Sequence, residues 1–261
     1  MDDREPLDFS RLPPITGARD DAALFEAHMV AREEALRAIF GESEPRDSIL
    51  SPESAQLSLN WPGGGVYAFP PGKGRTGWHY VTHGLSQPHD LEVQPGEEDV
   101  SGYGIELVIS TPARCAWAPD VLFNLVTMLL LDPNPPTLLP LHRVSGGGPL
   151  VVDSHAALQH LLCLTSGEYA SLVRLPGGLC ELVHLTGITE PELQRARRWG
   201  PGEGGSMILQ RVLEELGVGT LTDPDRRSLT ERDEFESAWR RTETALEEEW
   251  RKAGWSGQGK A

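Results

Sequence analysis

Lysine is nearly absent from this chain of 261 residues: Lys73, Lys252 and Lys260 stand against 20 arginines. Low Lys with abundant Arg, Ala, Gly and Pro is the composition of GC-rich bacterial coding. Cysteine is as scarce. Cys115, Cys163 and Cys180 make an odd set without a CxxC spacing, which excludes a disulfide framework or a zinc ribbon and fits a reducing cytosol. Long apolar runs are missing too. Val121 to Leu131 is broken by Asn124 and Thr127 and is too short to span a bilayer. The opening Met1-Asp2-Asp3-Arg4-Glu5 has no basic n-region and no apolar h-region, so a signal peptide is not expected. The expectation is a soluble, cytoplasmic protein without membrane contact.

Acidic side chains are what the chain has in excess. Asp plus Glu number 39 against 23 Lys plus Arg, a net charge of -16. Such a charge repels phosphate backbones and excludes nucleic acid as the main partner. It favours capture of a basic protein. The excess is uneven: residues 1–106 hold 19 acidic and 8 basic residues. Within them Ser86–Ser101 carries Asp90, Glu92, Glu97, Glu98 and Asp99 with no Lys or Arg. Read conservatively this is a solvated loop; read functionally it is a docking patch for a basic ligand.

Periodicity and turn chemistry predict an α+β fold rather than a doubly wound one. Residues 1–19 read as a loose, Pro-rich lead-in. Asp20 and Asp21 open a helix that Gly41 stops. Gln56–Trp61 and Val66–Phe69 read as a hairpin around Pro62–Gly65, and Trp78–Leu85 as a strand. Tyr103, Ile105, Leu107 and Ile109 alternate with Gly104, Glu106 and Val108, the clearest strand signal in the chain. Ala118–Leu131 reads as a helix, apolar nearly all round and therefore expected to be buried. Thr137–Leu150 reads as irregular and Leu158–Leu164 as a strand. Ala170–Leu175 and Leu179–Leu185 flank Pro176-Gly177-Gly178 as a hairpin. Thr189-x-x-Glu192 is a capping box. A helix follows over Ser206–Leu216, and Leu221–Asp223 reads as a last strand. From Thr230 a long helix carries Phe235, Trp239, Leu246 and Trp250 on one stripe, to be laid on the body or on a partner. The expected organisation is a lead-in over 1–19, one domain over 20–228 and a C-terminal helix over 229–254.

Candidate chemistry is sparse. No Gly-Lys-Ser/Thr and no Gly-x-Ser-x-Gly motif occurs, and Gly102-Tyr103-Gly104 reads as tight turns rather than a phosphate cradle. His79 and His83 share one face of a strand but lie roughly 13 Å apart at ~3.3 Å per residue, too far to hold one metal ion together. His89, Asp90 and Glu92 in the next loop could join one of them. The bland alternative is a pair of strand histidines. Cys115 beside Arg114 has no flanking nucleophile motif and reads as structural.

Gly77-Trp78-His79-Tyr80-Val81-Thr82-His83-Gly84-Leu85-Ser86, an acidic loop, then Ser101-Gly102-Tyr103-Gly104-Ile105-Glu106-Leu107 resembles the signature of the Suppressor of fused family. That signature runs Trp-His-Tyr-x-x-x-Gly-Leu-Ser, a loop, then Ser-Gly-Phe/Tyr-Gly-x-Glu-Leu. Downstream, Leu185-Thr186-Gly187-Ile188-Thr189-x-x-Glu192-Leu193-x-x-Ala196 and Leu221-Thr222-Asp223 with Arg226-Arg227 resemble further family blocks in the same order. The resemblance covers about residues 22–228. It implies a mixed, sandwich-like α+β domain with a central sheet and flanking helices, no known catalytic activity and no cofactor.

The resemblance also implies a function. Eukaryotic members grip an extended peptide of Gli-type transcription factors between two lobes by strand addition. The Tyr matching Tyr80 and acids of the following loop, here Asp90 or Glu92, are associated with that grip. Bacterial members are proposed immunity proteins of toxin systems, and this chain lacks the second lobe of the eukaryotic proteins. The expectation is a non-enzymatic module that binds a basic toxin or an extended peptide, with Trp78, Tyr80, His83, Asp90, Glu92, Glu97, Glu98, Asp99 and Glu106 as partner-binding residues. The alternatives are a metal-dependent hydrolase using His79, His83, His89 and Glu106, and a regulatory subunit that dimerises through its C-terminal helix.

Overall fold

A computed structural model describes residues 6–10, 21–42, 61, 64–72, 75–87, 100–145, 148–151, 157–200 and 202–254. The chain divides into two compact units, Met1–Pro135 with Thr165–His184, and Pro136–Leu164 with Leu185–Ala261. Hairpins and segregated helices make the fold α+β.

In the first unit, the sheet is built from β1 (Leu7–Asp8), β2 (Gly65–Phe69), β3 (Trp78–His83), β4 (Val100–Thr111), β7 (Leu172–Leu175) and the first part of β8 (Gly178–Thr189). Their spatial order is β1-β7-β8-β4-β3-β2. The register runs Phe69↔His79 to Gly65↔His83 between β2 and β3, and Trp78↔Thr111 to Val81↔Val108 between β3 and β4. Thus β2 pairs with β3; residues 56–60, expected to form its hairpin partner, lie outside the described residues. The expected lead-in contributes β1, which runs parallel to β7. The 172–175/178–189 hairpin forms around Pro176-Gly177 as its turn chemistry predicts.

Two helices flank this sheet. Helix α1 (Asp21–Phe40) turns Ala31, Ala35, Leu36, Ile39 and Phe40 onto Phe69, Val81, Val108, Tyr169, Val173 and Leu182. Gly41 ends it at φ 86°, and its N–H donates to the Arg37 carbonyl at 2.8 Å. The buried Arg75 guanidinium donates to the Ile39 carbonyl at 2.7 Å and to that of Phe40, closing the last turn. Strand alternation puts Tyr80 and Ile109 on the other face, where α2 (Trp117–Leu131) packs on β2, β3 and β4. Its first two turns are buried through Val121, Leu122, Phe123, Leu125 and Val126, but Met128 and Leu131 are exposed. All-round apolarity therefore overstated the burial of this helix: its last turn runs past the sheet-facing contacts.

In the second unit, β5 (Arg143–Ser145) pairs antiparallel with β6 (Leu158–Thr165), and β6 with β8. The segment expected to be irregular thus holds a short strand. Thr189 caps α3 (Glu190–Arg197) with a complete capping box. Helices α4 (Gly204–Glu215) and α5 (Phe235–Lys252) enclose a core of Ile188, Leu193, Ile208, Leu209, Val212 and Leu213. Phe235, Trp239 and Leu246 of α5 are fully buried in that core, so the apolar stripe packs on the body of its own chain and is not available to a second copy. Leu221–Asp223 reduces to a single β-bridge at Leu221 rather than a strand; the Thr222 hydroxyl accepts from the Gly187 N–H at 2.8 Å. No helix among the described residues is long and apolar enough to cross a membrane.

Candidate functional site

The region singled out by the sequence, β3 with the turn after it and the start of β4, is organised around one carboxylate. Glu106 is 1% exposed. Its Oε1 accepts from the backbone N–H of Gly84 (2.9 Å), that of Ser86 (3.0 Å) and the Ser86 hydroxyl (2.7 Å). Its Oε2 accepts from the Thr82 hydroxyl at 2.7 Å. Both carboxylate oxygens are engaged, Oε1 by three donors and Oε2 by one. This is the condition under which a buried charge is tolerated.

The other motif residues close the same turn from the opposite side. The Thr82 hydroxyl accepts from Leu107 N–H (2.8 Å), which extends the β3–β4 ladder by a side chain beyond Val81↔Val108. Ser101 Oγ donates to the Ser86 carbonyl (2.7 Å), and Tyr103 N–H to that of Leu85 (2.8 Å). Gly102 sits at φ 60°, and a Cβ there would stand 2.4 Å from the Gln87 carbonyl oxygen and 2.5 Å from that of Leu85. Gly84 turns the chain at φ 111°, where a Cβ would lie 2.7 Å from Trp61 Nε1. Gln87 in turn accepts from the buried Arg32 of α1 at 3.3 Å. The block Gly-Leu-Ser, loop, Ser-Gly-Tyr-Gly-x-Glu is therefore a hydrogen-bonded closure.

The remaining site residues are distributed rather than gathered. Tyr80 is 1% exposed; its hydroxyl accepts from Cys115 N–H at 2.7 Å, and burial pushes its phenol pKa up. Trp78 is half-buried with the Arg114 guanidinium 5.7 Å from its ring centroid. His83 is buried and stacks on Tyr67 at 4.0 Å. His79 points to the α1 face, against Phe40 (5.5 Å), Tyr169 (6.4 Å) and His184 (6.4 Å). Burial, with Arg75 nearby, lowers its pKa to about 4. Among the described residues no three His, Cys, Asp or Glu side chains gather as a metal site. His89, Asp90, Glu92, Glu97, Glu98 and Asp99 lie outside the described residues.

A second closure, missed in the sequence apart from its capping box, lies in the second unit. Glu192 is fully buried. It accepts from Thr189 N–H (2.9 Å), Leu229 N–H (2.7 Å) and both terminal nitrogens of Arg226 (2.6 and 2.9 Å). Arg226 also donates to the Gly187 carbonyl at 3.0 Å. Each downstream block thus supplies one half of a buried ion pair.

The Suppressor of fused protein (SUFU) family model matches residues 61–227, more than half of the chain, and takes in the Glu106 closure and the Glu192–Arg226 pair. The chain belongs to the Suppressor of fused family. Among solved structures it is similar to Drosophila Suppressor of fused, with 21% identity, a TM-score of 0.51, and coverage of 72% of this chain and 46% of that one. The chain thus spans about half the length of the fly protein. It is similar also to the Sufu–Fu complex crystal structure, with 18% identity, a TM-score of 0.56, and coverage of 84% and 95%. A Suppressor of fused homologue from Neisseria gonorrhoeae matches at 18% identity and a TM-score of 0.46, covering 78% of this chain and 96% of that one. No curated protein matches the chain in sequence. The residues matched by the family model leave out β1, α1 and α5.

Proposed function

We propose that this chain is a non-enzymatic protein-binding module, and that it serves as an immunity protein that neutralises a cognate basic toxin. The observation that carries the reading is the closure at Glu106. A carboxylate buried to 1% exposure and bound through both oxygens by four donors of its own turn supports a scaffold role for the family signature over a reactive one. Family membership and the presence of a Sufu protein in complex with Fu among the structural relatives support a protein partner. The net charge of -16 supports a basic one, since opposite fields raise association rates toward roughly 10⁸–10⁹ M⁻¹s⁻¹ at low salt.

The test is a titration of this chain against the purified product of the adjacent gene. A submicromolar dissociation constant that weakens as salt is raised, together with loss of the neighbour's toxicity on co-expression, is the expected result. A neighbour that neither binds nor is inhibited overturns the immunity role.

A further inference from the structure

The sheet of the first unit ends in β1, a strand outside the residues that the family model matches. β1 pairs parallel with β7 over two positions, Leu7↔Val173 and Asp8↔Arg174, and Phe9 N–H donates to the Arg174 carbonyl at 2.8 Å. β7 itself is four residues long and lies inside the matched range 61–227, whereas β1 lies outside it. The cover is slight. Both β1 residues are exposed, Leu7 by 38%, and the segment ends at once: Asp8 Oδ1 accepts from the Ser10 N–H (2.9 Å) and hydroxyl (2.6 Å) and turns the chain away. What holds it is a two-position edge pairing with the Phe9 N–H bond to Arg174, and the Phe9 ring, which packs on the core of Phe40, Val173 and Leu175.

We propose that the outer edge of β7 is a strand-acceptor site for an extended polypeptide with an apolar-x-aromatic alternation, and that Leu7–Phe9 occupies it as an exchangeable cover. The cover shows what the edge accepts: a parallel strand, apolar side chains two apart on the face of Val173 and Leu175, and an acidic residue opposite Arg174. Main-chain bonds supply affinity in strand addition and alternate side chains supply selectivity. An incoming strand that spans all four residues of β7 pairs twice as many positions as the resident one. The resident strand has the advantage of high effective concentration, so it keeps the edge from indiscriminate pairing and yields to a longer, better matched segment.

The inference adds a surface to the protein-binding reading above, but its test uses the chain's own segment and stands apart from the toxin titration. The probe is a fluorescent synthetic peptide of residues 3–13. The full chain is prepared in three forms: natural, with Phe9→Pro to remove both the ring and the donor to Arg174, and with Asp8→Cys/Arg174→Cys in a Cys115→Ser background, oxidised to lock the strand. Facing residues of paired strands lie about 4.7–4.9 Å apart, within the Cα range a disulfide spans. Peptide affinity should rise at least tenfold from the locked to the Phe9→Pro chain, with the natural chain between them. A probe with Leu7 and Phe9 replaced by Ser should not bind. Equal affinity for the locked and Phe9→Pro chains, or no saturable binding to Phe9→Pro, overturns the proposal. Should Phe9→Pro unfold the chain, Leu7→Ser/Phe9→Ser takes its place, with the same two outcomes.

Discussion

Glu192 and Arg226 meet in a bidentate pair, Oε1 to Nη1 at 2.6 Å and Oε2 to Nη2 at 2.9 Å, across 34 residues of chain and almost without solvent. Removal of one partner leaves the other as an uncompensated buried charge, the costly case for ion pairs. Arg226→Met and Glu192→Ala should each lose about 3–5 kcal/mol of unfolding free energy in urea titrations. The double variant Glu192→Leu/Arg226→Met should lose less than the sum, since it leaves no stranded charge.

Glu106→Ala should be the most damaging substitution at the first closure. It strands two buried backbone N–H groups and two hydroxyls, for a loss of about 3 kcal/mol or more. Gly102→Ala should cost about 2 kcal/mol or more, because a left-handed backbone alone costs roughly 1–2 kcal/mol and the new methyl meets two carbonyl oxygens. Chemical unfolding reads both. A Glu106→Ala chain as stable as the natural one would remove the organising role of this carboxylate.

Tyr80→Phe separates an internal role from a partner-contacting one. The phenol supports Cys115 N–H ahead of α2, so its loss should cost about 1 kcal/mol in stability and leave partner affinity unchanged. A drop in affinity at constant stability would support the partner-binding role that the family resemblance implies for this tyrosine.

Acid should destabilise the chain through its buried imidazoles. Burial, with Arg32 nearby, lowers the pKa of His28 to about 3, and His79 stands at about 4, both from 6.5. The folded state therefore refuses protons that the unfolded chain binds. The associated stability is complete above pH 6.5 and falls as pH drops toward the folded values. At 1.36 kcal/mol per pKa unit, the loss from His28 at pH 4 is about 3 kcal/mol. Replacing His28 by Gln should flatten the stability profile between pH 6 and pH 4; an unchanged slope would show that His28 titrates normally.

Reversal of Glu97, Glu98 and Asp99 to Lys should slow association with a basic partner more than it speeds dissociation, because peripheral charge acts mainly on the encounter. Stopped-flow mixing at low salt reads this directly, and an unchanged on-rate removes the docking role of the acidic loop.

Local signals in the sequence carried most of the fold. Alternation along Tyr103–Ile109 marked β4, Pro176-Gly177 marked the hairpin, and Thr189-x-x-Glu192 marked the start of α3. Each depends on neighbours within a few residues. The second half of each closure does not. Glu106 draws donors from 20 to 24 residues away, and Glu192 finds Arg226 only once the fold is made. β1 left no signal, since two residues have no periodicity. The last turn of α2 misled because composition reports apolarity but not whether a surface exists to receive it. At the candidate site, the resemblance picked out a block that folds into one closure, but residue type alone did not show that Glu106 meets its own backbone.

The first unit is discontinuous: it needs Thr165–His184 as well as Met1–Pro135, and its β4 takes its neighbour from β8. On the ribosome, β2, β3 and β4 emerge well before that neighbour exists. A nascent chain that has reached Pro135 carries β4 with one side unpaired, and it stays so until His184 has cleared the exit tunnel. During that interval, a few seconds at synthesis rates of roughly 5–20 residues per second, this edge is open to any passing strand, so translation speed between Pro136 and His184 becomes a determinant of yield.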